Sequence, residues 1–407
     1  MSWLDETHGT RFELLRHFLG SFFESELVSD SDEVRKVLIG IFAMFASLGI
    51  VFLQAFRARY NGLQSIVHST PAIYRHELRS DQLLFIGVAM GVTVLLTVLN
   101  WQSLFPSLRD CLALAGLPIR AKHIFAAKAT VLLIVFAGFV LAATLPWAMM
   151  FESAASGHWQ ENPSALENVV ADFAAMAGAC VFVFFSLVAL QGIILNMVPA
   201  RLFPRLSLWV QGLILVATLG ALPLVGRQPL APWWPGTWFL NLWEAIIRGN
   251  AWQGLPALGA MCIPALIAAA AYLASYGQYR RVILEAPPGR GAGRWAGIGS
   301  WLLEHWIANP REQGAFAFLW KSLARSNAHR LVLLTYTGLA LGWIVEGALD
   351  MPAPSLRDEG VYGMLVTVSP LAFALLVTIA LRYLFSLPVT LNANWVFRVL
   401  DREGRSA

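Results

Sequence analysis

Residues 173–198 read FAAMAGACVFVFFSLVALQGIILNMV, a stretch without a charged side chain. The hydrocarbon core of a bilayer is about 30 Å thick, and an α-helix needs about 20 mostly apolar residues to cross it. This stretch is therefore predicted to span a membrane. Seven other stretches have the same character, at residues 37–56, 83–100, 129–151, 206–226, 254–276, 331–345 and 361–381. The predicted fold class is all-α, a polytopic integral membrane protein with about eight transmembrane helices and an N-terminal amphipathic helix.

The composition points to the same class. Hydrophobic residues make up 57% of the chain and charged residues only 13%, whereas soluble proteins carry about 25% charged residues. A soluble enzyme is therefore excluded. The net charge of +4 indicates basic loops facing anionic lipid, and we do not expect nucleic-acid binding. Three cysteines are too few for a disulfide framework.

Basic residues predict the orientation of the spans. A cytoplasmic N-terminus places most of the 29 Lys and Arg residues on the cytoplasmic side, as the positive-inside rule requires. Four arginines oppose this arrangement because they follow the first span, and they are Arg57, Arg59, Arg75 and Arg79. The orientation of the first span is therefore the least determined.

An apolar stripe runs along the N-terminal segment. Phe12, Leu15, Leu19 and Phe22 recur at steps of three or four residues, which predicts a short amphipathic helix. The segment lacks the basic start and apolar core of a cleavable signal peptide. Two placements remain open: the helix lies flat on the membrane, or it packs on the cytoplasmic surface of the protein itself.

The composition of the predicted spans argues against several chemistries. Their predicted interiors contain no Asp, Glu, Lys or Arg, so proton-driven transport is not expected. All eight histidines lie outside them, and no Gly-Lys-Ser/Thr phosphate loop occurs. We therefore expect no cofactor, no metal and no catalytic residue in this chain. The polar residues Gln191, Asn196 and Gln211 are expected to hydrogen-bond neighbouring helices.

Three loops carry more information than the others. The loop at 101–128 has the signals of a short helix, which either transmits motion from a soluble partner or only joins two spans. The loop at 229–254 is rich in tryptophan, as is typical of the headgroup level. The loop after the third span gathers acidic residues and one histidine; it is predicted to be a solvated acidic loop, although His158 and Glu161 have the spacing of a shared metal or proton. Its residues are Glu152, His158, Glu161, Glu167 and Asp172.

Four short motifs resemble ABC-2-type transporter permeases of the large fused bacterial kind. The first, at 104–128, contains Leu-Phe-Pro, Arg-Asp, Leu-Pro-Ile-Arg and Ala-Lys, and is similar to the first cytoplasmic loop of that family. The second is Pro-Gly-Thr-Trp-Phe at 235–239, which resembles its outer segment before the sixth span. The other two lie at 316–330 and 387–398. Together they cover scattered parts of most of the chain.

The resemblance implies a function and a partner. The chain would be the permease subunit of an ATP-driven exporter in a bacterial inner membrane, not an enzyme, and a separate cytoplasmic ATP-binding cassette ATPase would hydrolyse ATP. The implied ATPase-coupling residues are Phe105, Pro106, Arg109, Asp110, Leu117, Pro118 and Arg120. The outer segment would form short re-entrant helices near the exit of the solute path, or else an aromatic belt that anchors the protein; its residues are Trp233, Trp234, Trp238, Phe239 and Trp243.

The sequence divides into five predicted parts. They are a cytoplasmic amphipathic segment (1–36), a six-span permease-like half (37–276), a basic cytoplasmic linker (277–330), two further spans (331–386) and a cytoplasmic tail (387–407). Fused members of the family have two six-span halves, so either the chain is truncated or a second permease chain completes the path. Two rival functions are an integral-membrane enzyme with His158 as its base, and a non-catalytic membrane scaffold.

Overall fold

The computed structural model describes only part of the chain, and all regular structure within that part is helical. The described residues are 14–15, 18–19, 56–63, 71–105, 121–155, 164–199, 202–221, 224–225, 232–285, 327–349 and 359–386. The long helices are α1 (Pro71–Leu99), α2 (Ala121–Ala155), α3 (Ala165–Met197), α4 (Phe203–Ala221), α5 (Pro235–Arg248), α6 (Ala251–Glu285), α7 (Asn327–Leu349) and α8 (Glu359–Ser386). The predicted all-helical class is confirmed.

Four of these helices are long and apolar enough to cross a bilayer. Their candidate spans are Ala72–Leu99, His123–Ser153, Ala165–Met197 and Ala251–Ser275. Shorter apolar helices occupy Leu206–Ala221, Val332–Val345 and Pro370–Arg382, where the fifth, seventh and eighth spans were predicted. The first predicted span, 37–56, lies outside the described residues apart from Phe56, so the count of eight stays a prediction.

The chain divides into two compact units. The first comprises Met1–Phe203 and Leu224–Glu285, and the second comprises Pro204–Pro223 and Ala286–Ala407. In the first unit α3 is the central helix, because it packs against α1, α2, α5 and α6. The five-part division made from the sequence stays a prediction.

Small residues let α3 and α6 approach closely. A Cβ atom added at Gly192 would lie 2.6 Å from the Cβ of Ala271, and one at Gly178 would lie 3.1 Å from the Sδ of Met261. Helices in a membrane gain most of their attraction from van der Waals packing, which small residues permit at short range. The α3–α6 pair therefore forms the tightly packed axis of the first unit.

An aromatic cluster fills one end of the first unit. The helical residues 56–63 place Phe56 5.2 Å from Phe85 of α1, measured between ring centroids, and Phe85 lies 5.0 Å from Phe151 of α2. Tyr60 packs edge-on against Phe151 at 5.9 Å. Such tilted and edge-to-face contacts add to the packing energy of large rings. This cluster joins residues 56–63 to the middle of α1 and to the C-terminal end of α2.

In the second unit, two glycines bring α7 against α4. Gly338 and Gly342 are one helical turn apart, and each would place an added Cβ close to Leu219 of α4. The distance from such a Cβ on Gly342 to the Leu219 carbonyl oxygen would be 2.5 Å. This is the small-xxx-small spacing that allows two helix backbones to touch. Helix α8 packs against α7 in the same unit.

Two residues of the N-terminal segment pack on α2. Leu14 and Phe18 are buried against Ile124, Ala127 and Val131 of α2. The ammonium group of Lys128 lies 5.0 Å from the centroid of the Phe18 ring, a cation–π contact. Of the predicted stripe, Leu15 is partly buried against this cluster and Leu19 is 41% exposed, so the choice between the two predicted placements stays open. Phe12 and Phe22 lie outside the described residues.

We expect Phe18→Ala to detach the N-terminal segment without unfolding the bundle. Phe18 is fully buried, whereas its neighbour Leu19 is 41% exposed, so Leu19→Ala is the matched control. Local opening exposes a backbone to protease in proportion to the population of the open state, so cleavage near residue 18 should accelerate by roughly tenfold or more in Phe18→Ala only. Equal cleavage of both variants would contradict the docking of this segment.

Candidate functional site

The only described member of the predicted coupling residues, Phe105, is anchored in the first unit. It follows the short 3-10 helix Trp101–Ser103 at the end of α1 and is 5% exposed. Its ring lies 5.1 Å from that of Tyr272 on α6, measured between centroids. The Tyr272 hydroxyl donates to the carbonyl oxygen of Phe125 on α2 at 3.2 Å. Phe105 thus packs at the point where α6 contacts α2.

Polar side chains reinforce the same end of the bundle. Gln191 of α3 donates to the carbonyl oxygen of Trp101 at 2.8 Å. Asn196 donates to Ala271 O at 3.0 Å and Ser275 Oγ at 3.1 Å, both on α6. The expectation that these residues bind neighbouring segments is confirmed for Gln191 and Asn196. Gln211 instead donates to Ser207 within its own helix α4.

The remaining coupling residues fall on a segment that lies outside the described residues. They are Pro106, Arg109, Asp110, Leu117, Pro118 and Arg120. The chain enters this segment after Phe105 and leaves it at Ala121, where α2 begins. Both neighbours of the segment therefore belong to the first unit, and the coupling role of these residues stays a prediction.

The outer aromatic segment forms the short helix α5. Pro235 occupies its first turn, where a missing N–H costs nothing, and Gly249 ends it with φ of 66°, a left-handed conformation that favours glycine. The Trp238 indole donates to Pro232 O at 3.0 Å, which closes the entry to the helix. The segment has a buried and an exposed side: Phe239 of α5 is fully buried, whereas Trp233, two residues before the start of α5, is 72% exposed.

Within this segment, Trp243 is buried on the face that meets α3, and Trp234 precedes the first helical residue. Phe239 packs against Phe182 of α3 at a centroid distance of 5.9 Å. One face of α5 is therefore part of the core, while the exposed Trp233 and Trp252 are suited to a membrane–water interface. These positions suit either the re-entrant helix or the aromatic belt, and the choice between them stays open.

An ion-pair network joins residues 56–63 to α1. Arg59 pairs with Glu77 and, at 2.6 Å, with Asp81, whose side chain is 3% exposed. The Tyr60 hydroxyl donates to the other carboxylate oxygen of Asp81 at 3.0 Å. Burial and then the Asp81 carboxylate raise the pKa of Tyr60 above its ordinary value, so this hydroxyl stays a donor. Asp81 is thus neutralised by groups about twenty positions earlier in the chain.

A second ion pair connects α1 to α5. Nε of Arg79 lies 2.9 Å from a carboxylate oxygen of Glu244, whose side chain is largely buried. Arg248, one turn further along α5, lies 3.8 Å from the other oxygen of Glu244. Arg59 and Arg79, which the sequence analysis counted as loop charges, are therefore part of a folded helical array.

A third polar group lies between α1, α2 and α3. Gln82 donates to Asp172 at 2.6 Å, and both side chains are buried. Glu152, in the last turn of α2, and Asn168 of α3 interact beside them, and Asp172 also interacts with Trp243 of α5. The last turn of α2 and the first turns of α3 therefore meet α1 and α5 at these polar groups.

Two sequence-based conclusions are corrected here. The helix α1 begins at Pro71 rather than 83, and α3 begins at Ala165, so Asp81 and Asp172 lie inside candidate spans. The claim that span interiors lack acidic residues is wrong, and the exclusion of ion-coupled transport loses its basis. Glu152 and Asp172 are also not in a solvated loop, because both are buried. A hydropathy window ends a predicted span at a charged residue, even where residues distant in sequence compensate that charge.

The rest of the predicted acidic loop is mostly outside the described residues, including His158 and Glu161. Glu167 is exposed and forms a capping box with Ser164 at the start of α3, so its role is structural. Within the described ranges, no group of three or more His, Cys, Asp or Glu residues is arranged to hold a metal ion.

The polar network escaped the sequence analysis, although two spacings signalled it. Glu77 and Asp81, like Asn168 and Asp172, are four residues apart, which places each pair on one face of a helix. Gln82 directly follows Asp81 at the edge of an apolar run. Ionisable residues within transmembrane segments usually face the interior of the bundle and pair with one another.

The helices and their buried polar network define the chain as an α-helical membrane protein. A comparison of the chain with protein-family models, curated proteins and solved structures finds no match.

Proposed function

We propose that the chain is the permease subunit of an ABC-2-type exporter, which forms the solute path and couples to a separate cytoplasmic ATPase. The observation that carries the proposal is the anchoring of Phe105. The motif that resembles the coupling loop of that family begins at a residue packed against Tyr272 and buried between helices. A push on this loop would therefore reach several helices at once.

The contacts of Phe105 and Tyr272 link three helices of the first unit. Phe105 ends the segment after α1, Tyr272 belongs to α6, and the Tyr272 hydroxyl binds the backbone of α2. Packed helices move as rigid bodies rather than deforming continuously. ATP-driven closure of a partner ATPase would displace the loop at 106–120. Helices α1, α2 and α6 would then tilt together, because the contacts of Phe105 and Tyr272 connect them.

The N-terminal segment supports the same assignment. In the resembling family an amphipathic helix precedes the permease half on the cytoplasmic side. In this chain Leu14 and Phe18 pack on the start of α2, next to the end of the predicted coupling loop. The docking surface for a partner ATPase would therefore consist of two adjoining segments. The bilayer would surround the spans, and a second permease chain would complete the solute path.

Replacing both Arg109 and Asp110 with alanine is expected to uncouple the chain from its ATPase. These charges would form the rim of the contact, and truncating the charged pair should lower ATPase recovery in a mild-detergent pull-down by roughly tenfold or more. Export should fall in parallel, while the melting temperature of the purified chain stays unchanged. His158→Ala is the control, because the permease assignment gives this residue no role and the rival enzyme depends on it.

Two results would overturn the proposal. The first is the recovery of no ATPase together with unchanged export by the double variant. The second concerns the side of the membrane: Cys111 lies in the same loop, so a membrane-impermeant thiol reagent should not label it in intact cells. Labelling of Cys111, with Cys111→Ser as the blank, would place the loop where no ATPase reaches it.

A further inference from the structure

Two buried aspartates near the same end of the bundle differ in how their charge is compensated. Asp81 pairs with Arg59 and accepts a hydrogen bond from Tyr60. Asp172 is 2% exposed and accepts a hydrogen bond from Gln82, but no described Arg, Lys or His residue lies within ion-pair distance of it. Burying an ionised carboxylate is costly unless a cation or several donors compensate it.

A second carboxyl group lies nearby and adds to the negative charge. Glu152 of α2 is 7% exposed, and its Coulombic interaction with Asp172 is repulsive. It sits in the last turn of α2, whose free carbonyl groups carry the negative end of the helix dipole. This corner of the bundle is therefore favourable for a positive charge.

An independent observation points to a ligand at the same place. Asn168 is 5% exposed and lies one turn before Asp172 on the same face of α3. The side-chain amide group of Asn168 forms a hydrogen bond with Glu152. The oxygen Oδ1 of the same side chain has no hydrogen-bond partner in the described structure. A buried amide oxygen left without a donor calls for an explanation, and an unseen ion is one.

We propose that Asp172, Glu152 and Oδ1 of Asn168 bind a monovalent alkali cation between α2 and α3. All of the contributed atoms are oxygens, the donors that hard cations prefer. Three side chains offer fewer oxygens than the roughly six to eight that Ca²⁺ takes, and both carboxyl groups are buried, away from the waters that Mg²⁺ retains, so an alkali cation fits the site better. Ionisable residues within spans commonly mark ion sites.

The site goes beyond the proposed permease function, since coupling to an ATPase does not require it. Gln82 of α1 holds Asp172 from the opposite side, and Trp243 of α5 contacts the same carboxyl group. A bound cation would therefore tie α2 and α3 together, with α1 and α5 as its supports. Its test needs neither an ATPase nor a solute.

The experiment measures the full chain in detergent. Melting is followed in NaCl, KCl and choline chloride at equal ionic strength, and radioactive sodium binding is followed by scintillation proximity. We expect NaCl or KCl to raise the melting temperature saturably by about 2 °C or more over choline chloride. Asp172→Asn should abolish this rise, and Asn168→Ala should weaken the apparent affinity by about tenfold.

The control is Asp81→Asn, which changes an equally buried aspartate whose charge Arg59 already compensates. It should retain the cation response even if its melting temperature is lower. If Asp172→Asn does not fold, Asn168→Ala and Glu152→Gln decide the outcome. Equal melting temperatures in all three salts, without saturable sodium binding, would overturn the proposal. So would an unchanged cation response in Asp172→Asn or, where that variant does not fold, in Asn168→Ala and Glu152→Gln. A melting temperature that responds to pH alone would also overturn it, because it would indicate a proton.

Discussion

Arg59→Met is expected to lower the free energy of unfolding by roughly 2–3 kcal/mol, because it leaves the carboxylate of Asp81 buried without its cation. Breaking a fully buried pair costs about 3–5 kcal/mol, and the effect is discounted here because the Arg59 side chain is 43% exposed. Methionine keeps most of the apolar stem of arginine, so the loss reports the charge. The measurement is thermal or denaturant unfolding in detergent.

Two further variants separate charge from packing. Arg57 is exposed on the same helical segment, so Arg57→Met should leave the stability unchanged within about 0.5 kcal/mol. Adding Asp81→Asn to Arg59→Met removes the orphaned charge and should restore part of the lost stability. A double variant less stable than Arg59→Met alone would show that the pair does not act through its charge.

The helical membrane class could be predicted from the sequence because it depends on local properties. The length of an apolar run and its lack of charges are readable in windows of about 20 residues, and α2, α3 and α6 coincide with predicted spans for that reason. The stripe of Leu15 and Leu19 likewise predicted an amphipathic helix. The structure instead buries Leu14 and Phe18 of this segment, and their partners Ile124 and Val131 of α2 are a long-range property that no local pattern contains.

The spacing of Glu77 and Asp81 signals a polar helix face, but the partners within the polar network could not be predicted, for the same reason. Asp81 is compensated by Arg59, 22 positions earlier, and Asp172 is held by Gln82, 90 positions earlier. A rule that treats each charge alone assigns both aspartates to solvent. The partnership of Phe105 with Tyr272 is also remote, so the sequence motif marked the loop but not the helices to which it is joined.

Gly342→Ala is expected to separate α7 from α4 and to cost the second unit about 2–3 kcal/mol. The added Cβ would lie 2.5 Å from the carbonyl oxygen and 3.3 Å from the carbonyl carbon of Leu219. Both are backbone atoms, which cannot rotate away as the end of a flexible side chain does. In a membrane the close approach of two helices supplies much of their attraction, so a small displacement forfeits many contacts at once.

Gly220→Ala is the matched control, since it lies on α4 in the same unit and an added Cβ there meets nothing within 4 Å. Alanine is the better helix former, so this variant should be as stable as the parent or slightly more so. A disulfide cross-link between cysteines introduced into α4 and α7 measures their separation directly, and its yield should fall in Gly342→Ala only. Equal yields and equal stability in both variants would show that α7 does not contact α4 through Gly342.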